Sequence, residues 1–262
     1  MSKYVVGFVI PIYQDKFIRK TVDFILNTYH KTDLVVCIVN DGQESVEKYL
    51  LKEKWPQNVH IINLAENRCF AGANNAGWKY LIKNYPDIKY LGSINDDTIP
   101  KNGWLERMII ALERYPKVGL SMPIMETRLG WFKTKKNYAI WKFKKDGMVP
   151  VKYKIDKDKF SSSVNGFCFL ILRKVLEEVG FLDENFKNGH EDADLGIKML
   201  LSGYRLVVCK DSYVFHYGGA SRYLGDNEFR NNAEVLMKKY NDDIEKFNNL
   251  DKDGFLIKKY DY

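Results

Sequence analysis

Three short stretches carry residue types that could bind a metal ion or move a proton. Residues 93–100 read SINDDTIP, which sets Asp96 and Asp97 directly behind the apolar YLGSI with Asn95 as a third oxygen donor. Hard divalent cations such as Mg²⁺ or Mn²⁺ take one or two carboxylates from protein and fill their remaining positions with water and phosphate. One of the pair could equally cap the helix expected near PKNGWLER, or shape a solvated turn. In GHEDADLG, Glu191, Asp192 and Asp194 fall in or beside the first turn of an expected helix, where the dipole favours negative charge. Three acids within four residues nevertheless repel one another unless a positive group or a proton-transfer role compensates. A carboxylate beside a substrate hydroxyl acts as a general base, and Asp192 is the candidate. In VFHYGG, His216 ends an apolar strand and two glycines leave room beside it. It is either a structural histidine or the partner of Asp97 at a metal.

Further polar residues stand where the first strands are expected to end. VIPIYQD and VNDGQE supply Pro11, Tyr13 and Asp41; Asp41 could accept hydrogen bonds from a nucleotide base, while Asn-Asp-Gly is also an ordinary turn. AENRCFAGANNAGW opens a helix with small residues and amides, which permits close backbone approach to a phosphate. It is neither a P-loop nor GxGxxG, so a dinucleotide dehydrogenase loses its main support.

The elements that must position these groups alternate. YVVGFVIPIY, TVDFILNTYH, DLVVCIVNDG, ESVEKYLLKEKW and VHIINLA read as strand, helix, strand, helix, strand, and NNAGWKYLIKNY, KYLGSI and NGWLERMIIALERY continue the series. Such alternation predicts βαβ units around a parallel sheet buried on both faces, with ligands beyond the carboxyl ends of the strands. Residues 128–159 break the pattern and read as an inserted β-hairpin flap, with Ala139, Trp141 and Phe143 on one face of YAIWKFKK. From Asp226 the chain is polar and helical, with Phe229, Ala233, Leu236, Tyr240, Ile244 and Phe247 at steps of three or four. The expected division is a domain over 1–225 and a helical extension over 226–262.

Composition narrows the class. The 262 residues, 45% hydrophobic, suffice for a large core. No apolar run reaches the length of a membrane span and the N-terminus lacks a cleavage-site pattern, so the expectation is a soluble, unexported, cytoplasmic protein. Cys37, Cys69, Cys168 and Cys209 are scattered without CxxC spacing, which predicts reduced thiols rather than zinc or disulfides. The net charge of +7 is concentrated: residues 128–159 hold eleven Lys or Arg against three Asp. That segment is either a solvated flap or a surface for something anionic.

In this order, VIPIY, VNDG, ENRCFAGANNAGW, INDDT, NGFCFLILRKVLEEVGFLDENF, HEDADLGIKMLLSGYRL and VFHYGG resemble the family 2 glycosyltransferases over residues 4–220. The stretch ENRCFAGANNAG is similar to the rhamnosyltransferase-like and galactofuranosyltransferase-like branch. The resemblance implies a GT-A fold, a single Rossmann-like, mostly parallel sheet flanked by helices, and an inverting, metal-dependent transfer from a UDP- or dTDP-linked sugar to a glycan or lipid-linked acceptor. It puts the DxD motif on Asn95, Asp96 and Asp97, with Asp97 and His216 as ligands of Mn²⁺ or Mg²⁺ and Asp192 as the base. It implies donor contacts from Pro11, Tyr13, Asp41, Asn67, Arg68, Asn74, Asn75, Asn95 and Asp96. Acceptor contacts fall to Glu191, Asp194 and Gly166, with Trp131 and Trp141 of the basic flap. The sequence departs from the family pattern at Asn95, where aspartate is usual, and at Cys69, where many relatives have glycine.

Two other readings compete. A sugar nucleotidyltransferase would use Lys16, Arg19 and Lys20 on triphosphate. A nucleic-acid-binding protein would stack bases on Trp131, Tyr138, Trp141 and Phe143, but no standard nucleic-acid module accompanies them and no nucleic-acid partner is expected. The flap is expected to meet an anionic acceptor or a membrane surface.

Overall fold

A computed structural model of the chain describes residues 5–29, 33–129, 133–137, 139–144, 147–152, 156–187, 189–218, 226–240 and 244–257. The first half is a run of strand–helix repeats: β1 (Val6–Ile12), α1 (Ile18–Thr28), β2 (Leu34–Asn40), α2 (Glu44–Lys52), β3 (Val59–Asn63), α3 (Cys69–Asn84), β4 (Tyr90–Ile94), the short β5 (Thr98–Pro100) and α4 (Trp104–Arg114). Period-two alternation divides β1 and β2 between two cores. Val6, Phe8, Ile10, Leu34, Val36 and Ile38 meet α1, α2 and α4 on one face, whereas Val9, Val35, Cys37 and Val39 meet α3 on the other. In α1, Ile18, Val22 and Ile25 recur at helical steps and are fully buried.

The second half contains β6 (Val118–Leu129), β7 (Lys133–Asn137), β8 (Ala139–Lys144), β9 (Gly147–Lys152), β10 (Lys159–Ser161), β11 (Cys168–Leu172), α5 (Arg173–Val179), α6 (Glu191–Leu201), β12 (Arg205–His216), α7 (Asp226–Lys239) and a 3₁₀ turn at Ile244–Asn248. The main sheet runs β10-β12-β6-β11-β4-β1-β2-β3, with β5 beside β12 and β7 beside β6. It is parallel from β3 to β4. β11 then enters antiparallel to both β4 and β6, so β6 and β12 again run in the direction of β4. The carboxyl ends of β1, β2, β4 and β12 consequently share one edge, and the strand order reverses beside β1.

The expected flap contains an antiparallel hairpin, β8 with β9, while β7 extends the main sheet. Phe143 of β8 is fully buried, packed with Phe186, with Ala193, Ile197 and Leu200 of α6, with Leu236 of α7, and with Ile244 and Phe247. Each such side chain contributes about 1.5–3 kcal/mol, so residues after 226 are joined to α6 by a core of their own. Arg205 joins the next segment, its guanidinium 4.7 Å from the rings of both Phe160 and Phe255. The four cysteines are free. No helix among the described residues is long and apolar enough to cross a membrane.

Candidate functional site

At the end of β4 the chain turns through Asn95, Asp96 and Asp97 before β5. Neither aspartate caps a helix, because α4 begins at Trp104 with Gly103 as its N-cap, beyond β5; the capping alternative is thereby removed. Asp97, 2% exposed, is held from two sides: Oδ1 lies 3.0 Å from His216 Nε2, and the Gly218 N–H donates to Oδ2 at 3.1 Å. The Asn95 amide nitrogen lies 3.3 Å from the same imidazole nitrogen. The imidazole stacks on Phe167 at 5.3 Å. Burial, reinforced by the Asp97 charge, pushes the Asp96 carboxyl up to about 7. The Thr21 hydroxyl donates to the Asp96 and Thr98 carbonyls, so α1 fixes the loop from below. One carboxylate and one imidazole beside an amide form a donor set that suits a divalent ion, and added positive charge relieves the Asp96–Asp97 repulsion. Among the described residues no group of three or more His, Cys, Asp and Glu forms a closed metal site.

The ends of β1 and β2 form the next part of the edge. Asn40 closes its turn in both directions with Gln43, donating to the carbonyl at 2.9 Å and accepting from the N–H at 3.1 Å. Gly42 has φ +76°, and a Cβ there would lie 2.5 Å from the Glu66 carbonyl carbon, so glycine is required for the two loops to meet. Asp41 is buried and accepts the Arg68 N–H at 2.7 Å; burial raises its pKa, opposed by that hydrogen bond. Beside it an open pocket of about 300 Å³ is lined by Tyr13, Gln14, Asp15, Lys16, Gln43, Ser45 and Val46. Pro11 lies one strand residue before this edge, in register with Val39.

The loop from Asn67 to Asn75 is internally braced. Asn67 accepts the Cys69 N–H at 2.9 Å, and Cys69 has φ +59°, a conformation that explains why glycine suits the position. Arg68 meets Glu184 at 2.5 Å, and the other Glu184 oxygen accepts from Asn75 at 2.9 Å. Asn75 also exchanges hydrogen bonds with the Leu182 backbone, and Asn74 donates to the Phe70 carbonyl. Both amides are buried. Of the two amides expected near the donor, Asn75 ties α3 to Leu182 and Glu184 behind the edge, while the Asn74 bond stays within α3.

Asp192 stands on the first turn of α6. Its carboxylate accepts N–H groups from Gly166 at 2.7 Å and Ala193 at 2.8 Å, yet burial outweighs these bonds and raises its pKa. Glu191 is buried, accepts the Gly189 N–H at 2.5 Å, and is raised by burial and then by the Asp192 charge. Gly166 must be glycine for this arrangement, since a Cβ would lie 2.9 Å from Asp192 Oδ2. Asp194 departs from expectation: it is 0% exposed and bound by Lys239 at 2.8 Å and the Tyr240 hydroxyl at 2.8 Å, so an acceptor does not reach it. Trp131 and Tyr138 lie outside the described residues, and only the backbone of Trp141 is described.

Thr21, Phe167, Glu184 and Lys239 were not anticipated from sequence. The residue pair DE after GFL, and KKY at the end of a polar helix, were the available signals. Of the cations a nucleotidyltransferase would use, Arg19 is engaged by Asp23 and Glu53, each at 3.2 Å, and Lys20 donates to the Tyr217 hydroxyl at 3.1 Å.

The family model described as Glycosyl transferase family 2 matches residues 8–180. No curated protein matches the chain by sequence. Among solved structures, the crystal structure of GalNAc-T7 with UDP, GalNAc and Mn²⁺ superposes with a TM-score of 0.75 at 14% identity, covering 90% of this chain and 48% of that one. The mannosyltransferase PcManGT from Pyrobaculum calidifontis in complex with GDP-Man and Mn²⁺ gives 0.60 at 14% identity, covering 88% of this chain and 68% of that one. The chain thus spans about half the length of the first of these. Both share its architecture of a central sheet flanked by helices.

Proposed function

Because the chain belongs to glycosyl transferase family 2, we propose that it is an inverting glycosyltransferase that moves a sugar from a nucleotide-sugar donor to a hydroxyl of a glycan or lipid-linked acceptor. One observation carries the reading. The segment Gly166–Phe167 touches both chemical halves of the site, through the Gly166 N–H to Asp192 and the Phe167 ring to His216, whose Nε2 meets Asp97. A base and a metal-ligand pair on one short connection suit a displacement in which the two ends of the reacting centre are served separately.

Asp192 takes the proton of the acceptor hydroxyl as its oxygen bonds to the anomeric carbon and the bond to the diphosphate breaks. The raised pKa of Asp192 strengthens it as a base, and the two N–H groups that hold it fix its direction. Asp97 and His216 would hold Mn²⁺ or Mg²⁺, which when bound would supply positive charge to offset that of the departing diphosphate. Mn²⁺ in both structural neighbours supports that choice. In this reading Pro11, Tyr13 and Asp41 receive the base and ribose, with Tyr13 in the wall of the 300 Å³ pocket; Asn67 and Arg68 flank the diphosphate, and Asn95 and Asp96 support the metal loop. Glu191 and Gly166 border the acceptor. Trp131 and Trp141 approach it from the flap.

The donor in this reading is UDP- or dTDP-linked, and ENRCFAGANNAG supports the rhamnosyl or galactofuranosyl branch. Residues 1–225 form the transferase domain and 226–262 its extension. The excess of basic residues over 128–159 supports work at the inner face of a membrane on an anionic acceptor.

The test is a thermal-shift screen of UDP-, dTDP- and GDP-hexoses with Mn²⁺, followed by product analysis. A donor at 100 times its Kd stabilises by about 2.7 kcal/mol, and excess chelator should remove that gain. Stabilisation and turnover by nucleoside triphosphates alone would replace this reading with a nucleotidyltransferase.

A further inference from the structure

Lys239 lies beyond the family match and at the end of α7, yet it touches the two segments that frame the site. Its ammonium is 2.8 Å from Asp194 Oδ1 and 2.7 Å from Asp183 Oδ2. Asp194 is two residues from Asp192 on the same helical turn and has no exposure. Its other oxygen is 3.7 Å from Lys198, and Tyr240 donates to the oxygen that Lys239 binds. Removing one partner of a buried ion pair leaves an uncompensated charge, which is far costlier than losing a surface pair. The neighbouring residue Ala193 is packed into the cluster that Leu236, Ile244 and Phe247 complete. The turn that carries Asp192 is therefore held on its inner side by charge and apolar contacts from Leu236, Lys239, Tyr240, Ile244 and Phe247.

We infer that Lys239 is a positioning residue for transfer: it neutralises Asp194, clamps α6 to the Asp183 loop, and so keeps the Asp192 carboxylate on the Gly166 N–H. This rests on the reading of Asp192 as the base. A side chain outside the reacting centre acts here through geometry, and misplacing a catalytic group by 1 Å costs about 10²-fold in rate.

The test compares Lys239→Met, Lys239→Arg and Arg205→Ala in the full chain. Arg205 binds the Asp253 and Pro116 carbonyls and the Phe160 and Phe255 rings, so Arg205→Ala loosens the C-terminal segment while the Lys239 contacts to Asp194 and Asp183 stay in place. Nucleotide release from UDP-, dTDP- and GDP-hexoses is followed with Mn²⁺ and water as acceptor. Lys239→Met should lower kcat at least about tenfold with the donor KM within about twofold, and Lys239→Arg should recover most of it. Arg205→Ala should lower the melting temperature and leave kcat within about twofold. Unchanged kcat in Lys239→Met, or an equal loss in Arg205→Ala, overturns the inference. If Lys239→Met does not fold, Tyr240→Phe and Asp183→Asn each remove one arm of the clamp and are read by the same split. Absence of turnover in the wild type strikes the proposed function instead, and hydrogen exchange over residues 190–196 then decides. Faster exchange in Lys239→Met alone supports the clamp, and unchanged exchange overturns it.

Discussion

The two halves of the site are built in opposite ways. On the proposed donor side, Tyr13, Asp41 and Asp97 stand just beyond the ends of β1, β2 and β4, neighbouring parallel strands each placed by a strand–helix repeat that buries its own apolar faces. On the proposed acceptor side, Asp192 accepts from Gly166 of one connection, its neighbour Asp194 is bound by Lys239 and Tyr240 at the end of the C-terminal helix, and the same turn packs in a cluster that also draws in Phe143 of the hairpin. The first half is a repeated local solution with chemistry at its rim. In the second, a single helix turn is held by contributions from four separate segments, so its geometry is sensitive to changes far from the reacting atoms.

The contrast can be broken at several strengths. Asp97→Ala should have the largest effect, removing several kcal/mol of charge stabilisation and hence roughly 10³-fold or more in Mn²⁺-dependent turnover, together with the Mn²⁺-dependent part of donor stabilisation in thermal shift. Asp192→Asn should slow transfer by about 10²–10⁴-fold with nucleotide binding unchanged in calorimetry; near-normal turnover would remove Asp192 from the mechanism. Leu236→Ala and Ile38→Ala should each cost about 2–5 kcal/mol by denaturant unfolding, but only Leu236→Ala should also lower kcat. If both lowered kcat alike, the difference between the halves would disappear. Gly166→Ala should reduce kcat about tenfold with little loss of stability, because its methyl displaces Asp192 rather than a core group. The smallest effect is on pH dependence. Asp192 works deprotonated and burial raises its pKa, so kcat should climb with pH through a limb lying above the ordinary carboxylate range.

Legibility in the sequence follows the same division. The repeats of the first half are readable because each strand and helix carries its own periodicity, as in LVVCIVN, buried along its whole length, and in the Leu105, Met108, Leu112 face of α4. The positions of Asp41 and Asp97 follow from those strands. The pairing of Asp97 with His216 across 119 residues is not written in spacing: their strand-end positions leave it as one of two alternatives for the histidine, and the family resemblance favours it. The true partners of Asp194 and of Arg68 were invisible for the same reason: Tyr240 lies 46 residues from one, and Glu184 lies 116 residues from the other. The Leu182 and Glu184 partners of Asn75 were equally hidden, because a polar side chain in a small-residue stretch reads alike whether it faces a ligand or bonds a distant segment.

The buried Asp194 carboxylate also gives the molecule an order of assembly. During synthesis the β1–β4 layer can pair and cover its faces from neighbouring segments, and such local contacts form early. The turn bearing Asp192 has no counter-charge from Lys239, and no floor from Leu236 and Phe247, until those residues have been made and have docked. A nascent chain can therefore fold the edge at the ends of β1, β2 and β4 while the turn of Asp192 is still incomplete, and the site as a whole is assembled only when that late-made segment has packed on α6.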